Sequence, residues 1–315
     1  MRFIWTGIIL LTLAPWSHEQ EGTYDWTKGQ KLSDGIAYAH AELILDHPVG
    51  LQCPHYKGFS PEKQRNLRLH IMRIDTRNPT LHLAATGRAE GWGRPMPDYQ
   101  GQKYDQFIIR TMRETTVQFV RRSRAASQNM LVAVNAQPWQ PFHSRVHTPY
   151  ADRLGLTVSD GLLVSPAYGY PSLVIDELGR PDMMTTDSET DLAGMKLAVS
   201  GFSFCLVNGK PTPPDKVLHP RTGYGLCNEK RFLFLLVIDG RQDASQGATV
   251  REVGEWLRHY GAHTGINMDG GGSTTMARWN SSRQRVEILN HPSGGERKVG
   301  SNLGVFRNGR LEHAE

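Results

Sequence analysis

Arg231-Phe232-Leu233-Phe234-Leu235-Leu236-Val237-Ile238-Asp239-Gly240 decides the fold, because seven consecutive apolar residues, 232–238, run straight into a turn dipeptide. A run that is apolar at every position reads as a strand buried on both faces, and Asp-Gly marks its end. Thr249 stands three residues before Glu252, the spacing of a capping box. Val250, Val253, Leu257 and Tyr260 follow at helical spacing, and Gly261 sits where helices stop. A short strand over 264–268 completes a strand–helix–strand unit. Such crossovers usually join parallel strands and are right-handed. If the two strands are neighbours, Asp239 and Asp269 leave their carboxyl ends at one edge of the sheet, where open α/β sheets bind ligands.

The second strand leads into Asn267-Met268-Asp269-Gly270-Gly271-Gly272-Ser273-Thr274-Thr275-Met276. Three successive glycines cost backbone entropy, and they suit a place where the chain turns sharply and something approaches it closely. Backbone N–H groups beside the hydroxyls of Ser273 and Thr274 form a natural cradle for anionic oxygens. The plainer alternative is a tight turn between two strands. No Gly-Lys-Ser/Thr follows the glycines and no GxGxxG is present, so the nucleotide signatures are missing.

Asp239-Gly240-Arg241-Gln242, the helix and then the Asp-Gly-Gly-Gly-Ser-Thr-Thr run together resemble the phosphodiester glycosidase family. Its animal activity removes N-acetylglucosamine from a phosphodiester and uncovers mannose 6-phosphate. Further matches are His219-Pro220-Arg221-Thr222 and Asn290-His291-Pro292-Ser293-Gly294-Gly295-Glu296-Arg297, with a weaker one from Thr115–Val120 into Leu131–Ala136. The resemblance covers roughly 110–307. After Asn135 the family often carries two glycines or small residues. Here the sequence is Ala136-Gln137-Pro138-Trp139, which puts a close backbone approach to ligand in doubt at that point.

The remaining chain frames these motifs. With 38% hydrophobic and 21% charged residues, the 315-residue chain can bury a real core. Its net charge of +5 is spread among acids, without a Lys/Arg run, which suits an anionic small substrate or glycan better than nucleic acid. Arg2 followed by an apolar stretch to Ala14 reads as a signal peptide over 1–17. No later segment is long enough to span a bilayer, so the expected location is secreted, periplasmic or cell-surface. Cys53, Cys205 and Cys227 allow at most one disulfide. Strands are expected over 68–74 and 80–85, possible partners in a hairpin, and helix over 105–127 in two pieces. A hairpin about Ser159-Asp160-Gly161 is expected as well. His143 and His147 have metal-ligand spacing, but Pro141 and Pro149 bracket them. The expected domains are N-terminal strands and loops over 18–104 and a glycosidase-like domain over 105–315. The expected class is α+β, a mixed central sheet with the strand–helix–strand unit at 231–269 and flanking helices. Oligomeric state stays open.

A sugar on a phosphate leaves a stable anion behind, so strong protonation of the leaving group matters less than in ordinary glycosidases. The need shifts to stabilising charge on phosphate oxygens with guanidinium and N–H groups. Asp239, Asp269 and Arg221 are therefore the catalytic candidates. Asn135, His219, Thr222, Arg241, Gly270, Gly271, Gly272, Ser273, Thr274 and Arg297 are the substrate-binding candidates, and Trp139 or Phe142 offers a face for a sugar ring. No cofactor is expected. The alternatives are a metal-assisted phosphodiesterase with a divalent cation on Asp239 and Asp269, and a glycan-binding surface protein without turnover.

Overall fold

The computed structural model describes residues 23–46, 50–60, 64–142 and 148–308. The expected signal peptide, the His143/His147 pair and the C-terminal tail lie outside the described residues.

An eight-stranded sheet organises the chain, in the spatial order Gln30–Ser33, Ile36–Leu45, Arg65–Asp75, Phe232–Ile238, Arg221–Leu226, Thr264–Asn267, Ser203–Val207, Lys210–Pro211. The apolar run at 232–238 lies inside it and is covered on both sides. Leu233, Leu235 and Val237 face one core, which the other sheets complete through residues such as Val134, Leu173, Val199 and Leu303. Phe234, Leu236 and Ile238 face a second core, closed by Val253, Trp256 and Leu257 of the helix Val250–His259 and by Tyr260, which caps it. Each such side chain contributes roughly 1.5–3 kcal/mol on burial, which is why no polar residue interrupts the run. The helix begins with the expected capping box: Thr249 accepts from the Glu252 N–H, and the Glu252 carboxylate accepts from the Thr249 N–H.

The α+β expectation is corrected. Every ladder between named strands is antiparallel, and the described residues hold two α-helices, Thr116–Ala125 and Val250–His259. The protein is mostly β. The strand–helix–strand unit exists, but its two strands are not neighbours. Arg221–Leu226 lies between them, antiparallel to both. The second five-stranded sheet, with the order Arg285–Ile288, Met276–Asn280, Asn129–Asn135, Asn302–Arg307, Leu81–Ala85, packs against the first sheet, and Thr116–Ala125 covers its outer side through Phe119 and Val120. Arg65–Asp75 and Leu81–Ala85 therefore enter different sheets and form no hairpin. Residues 105–115 are not helical; Thr111–Met112 pairs with Tyr150–Arg153 in a small three-stranded sheet. The other five-stranded sheet contains the expected hairpin, in which Leu163 pairs with Val158 across Asp160 and Gly161, both at positive φ. The three cysteines are buried and unpaired.

Candidate functional site

The intervening strand builds the site. Arg221 pairs with Ile238 on one side, and Gly223 pairs with Asn267 on the other. Continued by two residues, that second register sets Arg221 beside position 269; the Met268 N–H reaches Thr222 O at 2.8 Å and the Gly271 N–H reaches Pro220 O at 2.8 Å. Because the outer strands run the same way, both acids do leave at one edge. The strand between them places His219 and Arg221 at that edge too.

There a hollow of about 230 Å³ opens, lined by Asp269, Gly270–Gly272, His219, Arg221, Arg241 and Arg297, with Pro138, Trp139, Phe142, Phe202 and Met268 on its apolar side. The sequence did not single out Phe202, which reads as the start of a strand; it precedes Ser203–Val207 and is 44% exposed. Phe142 at 41% exposure stands with it at the rim, while Trp139 is buried.

Each guanidinium is held from behind. Arg221 donates from Nε to Ala248 O at 2.9 Å and from Nη2 to Val217 O at 3.0 Å. Arg297 donates from Nη2 to Ser273 Oγ at 2.6 Å. Arg241 donates from Nη2 to His219 Nδ1 at 3.1 Å. Arg241 adopts the left-handed region at φ 61°, a conformation that costs a non-glycine residue on the order of 1 kcal/mol and clusters at functional sites. Burial, ahead of the neighbouring charges, holds the Arg221 and Arg241 guanidinium groups below their ordinary range. Burial, then Arg221 and Arg241, pushes the His219 imidazole down to about 4. His219 is therefore neutral at neutral pH. Because Arg241 can only donate, the His219 proton resides on Nε2.

Asp269 is the carboxylate of the hollow. It keeps some open surface while nearly all its surroundings are protein, and burial raises it to about 6. Hydrogen bonds from Ser273, Trp139 and the Gly270 N–H, and the charge of Arg297, pull the other way without overcoming burial.

The glycines serve a different purpose from the expected cradle of amides. Of the N–H groups from 269 to 274, those of Asp269, Gly271, Ser273 and Thr274 bond to backbone oxygens, and that of Gly270 bonds to the Asp269 carboxylate. Among the described residues, that leaves the Gly272 N–H without a protein acceptor. What the glycines provide is proximity. A Cβ on Gly271, itself at φ 63°, would lie 3.1 Å from Arg241 Nη2, and one on Gly272 would lie 3.3 Å from the Arg297 guanidinium carbon. Two cations can rest on this loop because it has no side chains.

Several expected ligand contacts lie behind the hollow. Asn135 is fully buried: its Nδ2 donates to Asp269 O at 2.7 Å, while its Oδ1 accepts from Thr222 Oγ1 at 2.8 Å and from the Thr275 N–H at 3.1 Å. Thr222, Ser273 and Thr274 are buried too. Asp239 is 1% exposed and does not line the hollow. It accepts from Asn290 Nδ2 at 3.0 Å and from the His291 N–H at 3.0 and 3.1 Å. Asn290 in turn donates to Thr274 O at 3.2 Å and accepts from the Met276 N–H at 2.8 Å. Asp239 thus ties the segment leading to Arg297 onto the end of the glycine loop. Of the two carboxylates Asp269 lines the hollow and Asp239 does not, and among the described residues no group of three His, Cys, Asp or Glu gathers to hold a metal ion.

The sequence model of the phosphodiester glycosidase family matches residues 128–306, more than half of the chain. No curated protein matches. Among solved structures, the zebrafish N-acetylglucosamine-1-phosphodiester alpha-N-acetylglucosaminidase catalytic domain, auto-inhibited by its pro-peptide, is similar in fold. The TM-score is 0.58 at 17% identity, over 91% of this chain and 86% of that one. A hypothetical protein from Synechocystis is similar with TM-score 0.52 at 11% identity, over 88% of this chain and 63% of that one. The matched span contains all of the hollow's motifs, from Asn135 to Arg297, and on it this chain belongs to the phosphodiester glycosidase family.

Proposed function

We propose that the chain hydrolyses the bond between the anomeric carbon of a sugar and the phosphate of a phosphodiester, on an exported glycan or glycoconjugate. The observation that carries this reading is the meeting of three guanidinium groups and one raised carboxyl group on a single hollow. Arg221, Arg241 and Arg297 outnumber Asp269, so the hollow favours an anion, and planar N–H forks suit phosphate oxygens. Phe142 and Phe202 give the sugar ring an apolar face beside that charge.

The phosphate leaves with the electron pair of the broken C–O bond, and the arginines take up the charge that grows on its oxygens. Asp269 acts ionised: it takes the proton of the water that attacks the anomeric carbon and stabilises the positive charge building there. A carboxyl group near 6 is poised for that work at neutral pH. Neutral His219 holds Arg241 through Nδ1. Asn135, Thr222 and Asp239 position the loops that carry Asp269 and Arg297.

The test is incubation with the methyl phosphodiester of N-acetylglucosamine 1-phosphate, with and without a chelator. Free sugar and methyl phosphate are expected in both. Sugar 1-phosphate with methanol, or loss of turnover on chelation, would move the chemistry to phosphorus and to a metal-assisted route.

A further inference from the structure

A second hollow, of about 390 Å³, lies at the far end of the strand that leaves the glycine loop. Met276–Asn280 follows the glycine loop after Thr275 and ends with Arg278, Trp279 and Asn280 in the wall of the second hollow. Five extended residues span roughly 17 Å. Arg124, from the last turn of Thr116–Ala125, and Arg307, from the end of Asn302–Arg307, meet Arg278 there, and among the described residues no Asp or Glu lines the space.

Each of these arginines is held by part of its fork and leaves part of it free. Arg124 lies 4.0 Å over the Trp279 ring and donates from Nη1 to Asn129 Oδ1 and Met130 O. Arg278 donates from Nε and Nη2 to Glu287. Arg307 donates from Nη2 to Ser33 Oγ and Asp34 O. No hydrogen bond among the described residues uses Arg124 Nη2, Arg278 Nη1 or Arg307 Nη1. Glu287 cannot neutralise the group, since it is shared with Arg283 and Arg285 as well. The hollow therefore has the cations of the first one, an indole in place of its phenyl rings, the amide of Asn280 and the hydroxyls of Ser281 and Ser282, and no carboxylate.

We propose that this hollow is a second, non-catalytic binding site for a phosphate-bearing glycan. Guanidinium forks recognise the tetrahedral oxyanion, and the indole with its amide and hydroxyl neighbours recognises the sugar. The absence of an acid means it binds without cleaving. A substrate with several phosphorylated units would be held here while another unit occupies the first hollow. The choice of ligand rests on the proposed function; the existence of the site does not.

The experiment follows the Trp279 indole N–H signal by NMR in the full chain while inorganic phosphate, N-acetylglucosamine 1-phosphate or a short single-stranded oligonucleotide is added. Turnover of the methyl diester is measured alongside. The indole should shift, and N-acetylglucosamine 1-phosphate should bind at least tenfold more tightly than inorganic phosphate. The Arg124→Gln/Arg307→Gln variant should lose at least tenfold in that affinity and keep its turnover of the methyl diester. Should that variant fold poorly, Arg124→Lys/Arg307→Lys keeps the charge, removes the forks, and should weaken binding in the same direction. A still indole in the unaltered protein, equal affinity in the variants, no preference for the sugar phosphate, or tighter binding of the oligonucleotide would overturn the proposal. A shifting indole in a protein that leaves the methyl diester intact would instead overturn the hydrolytic reading alone.

Discussion

Replacing Asp269 by Asn should make the protein more stable at alkaline pH while abolishing turnover. Burial raises this carboxyl group from its ordinary 3.8 to about 6. The unfolded chain therefore releases the proton at lower pH than the folded one. Between the two values the folded state holds more protons, so stability falls as pH rises through that window and is level outside it. Above the window the cost is about 3 kcal/mol, at 1.36 kcal/mol for each pH unit separating the two values. Asn escapes that cost but replaces one acceptor oxygen by a donor amid Ser273, Trp139 and the Gly270 N–H, which returns about 1 kcal/mol. A net gain of about 2 kcal/mol remains. A chain of this length has an unfolding entropy of roughly 0.6 kcal/mol/K, so Asp269→Asn should melt about 3 °C above the unaltered protein at pH 8. At pH 4 the order should reverse by a degree or two. His219, held down to about 4, also loses stability as the pH falls below 6.5, but that contribution is common to both proteins and cancels in the difference. Thermal melts of both proteins across this range, with turnover of the methyl diester, make the test. An Asn variant that melts lower at pH 8, or whose advantage ignores pH, would refute the claim that Asp269 is a buried carboxylate held against its preference.

Arg297→Gln removes a charged donor from the hollow and should lower kcat/KM by roughly ten- to a hundredfold, worth about 1.5–3 kcal/mol, in a protein that still melts cooperatively. Gly271→Ala places a methyl group 3.1 Å from Arg241 Nη2 at a positive φ, and steady-state kinetics should show kcat falling at least tenfold in a folded protein. Asn135→Ala strips a fully buried residue of bonds to Thr222, Thr275 and Asp269, and denaturant unfolding should record a loss of about 2–4 kcal/mol. The pH profile of kcat/KM should rise through about 6 as Asp269 ionises, and the midpoint for kcat should lie higher, because a bound phosphate anion opposes that ionisation.

Local signals marked single elements, while the α+β class built from them was wrong, the described chain being mostly β. The apolar run at 232–238 told of two covered faces, and Thr249 with Glu252 gave the helix start. What they could not give was the strand between. Nothing in 221–226 states that it inserts between 232–238 and 264–267, because that pairing is set by contacts distant in sequence. The inference that both acids share an edge survived, since two strands antiparallel to a common neighbour run alike. The direction each acid faces was illegible. A carboxylate just past a strand end turns inward or outward according to what packs beside it, and at Asp239 that is the 290–291 segment. The glycines pointed rightly to a close approach but not to its partner: side-chain guanidinium groups rest there, and most of the amides are already bonded. Phe202 was hidden for a related reason, since a residue before a strand carries no mark of lying beside a hollow.

Cleavage of a sugar phosphodiester in heavy-oxygen water, with mass analysis of both products, tests the central claim most directly. Attack at the anomeric carbon puts the label in the released sugar and leaves the phosphate unlabelled, which is the result expected here. Label in the phosphate would contradict it.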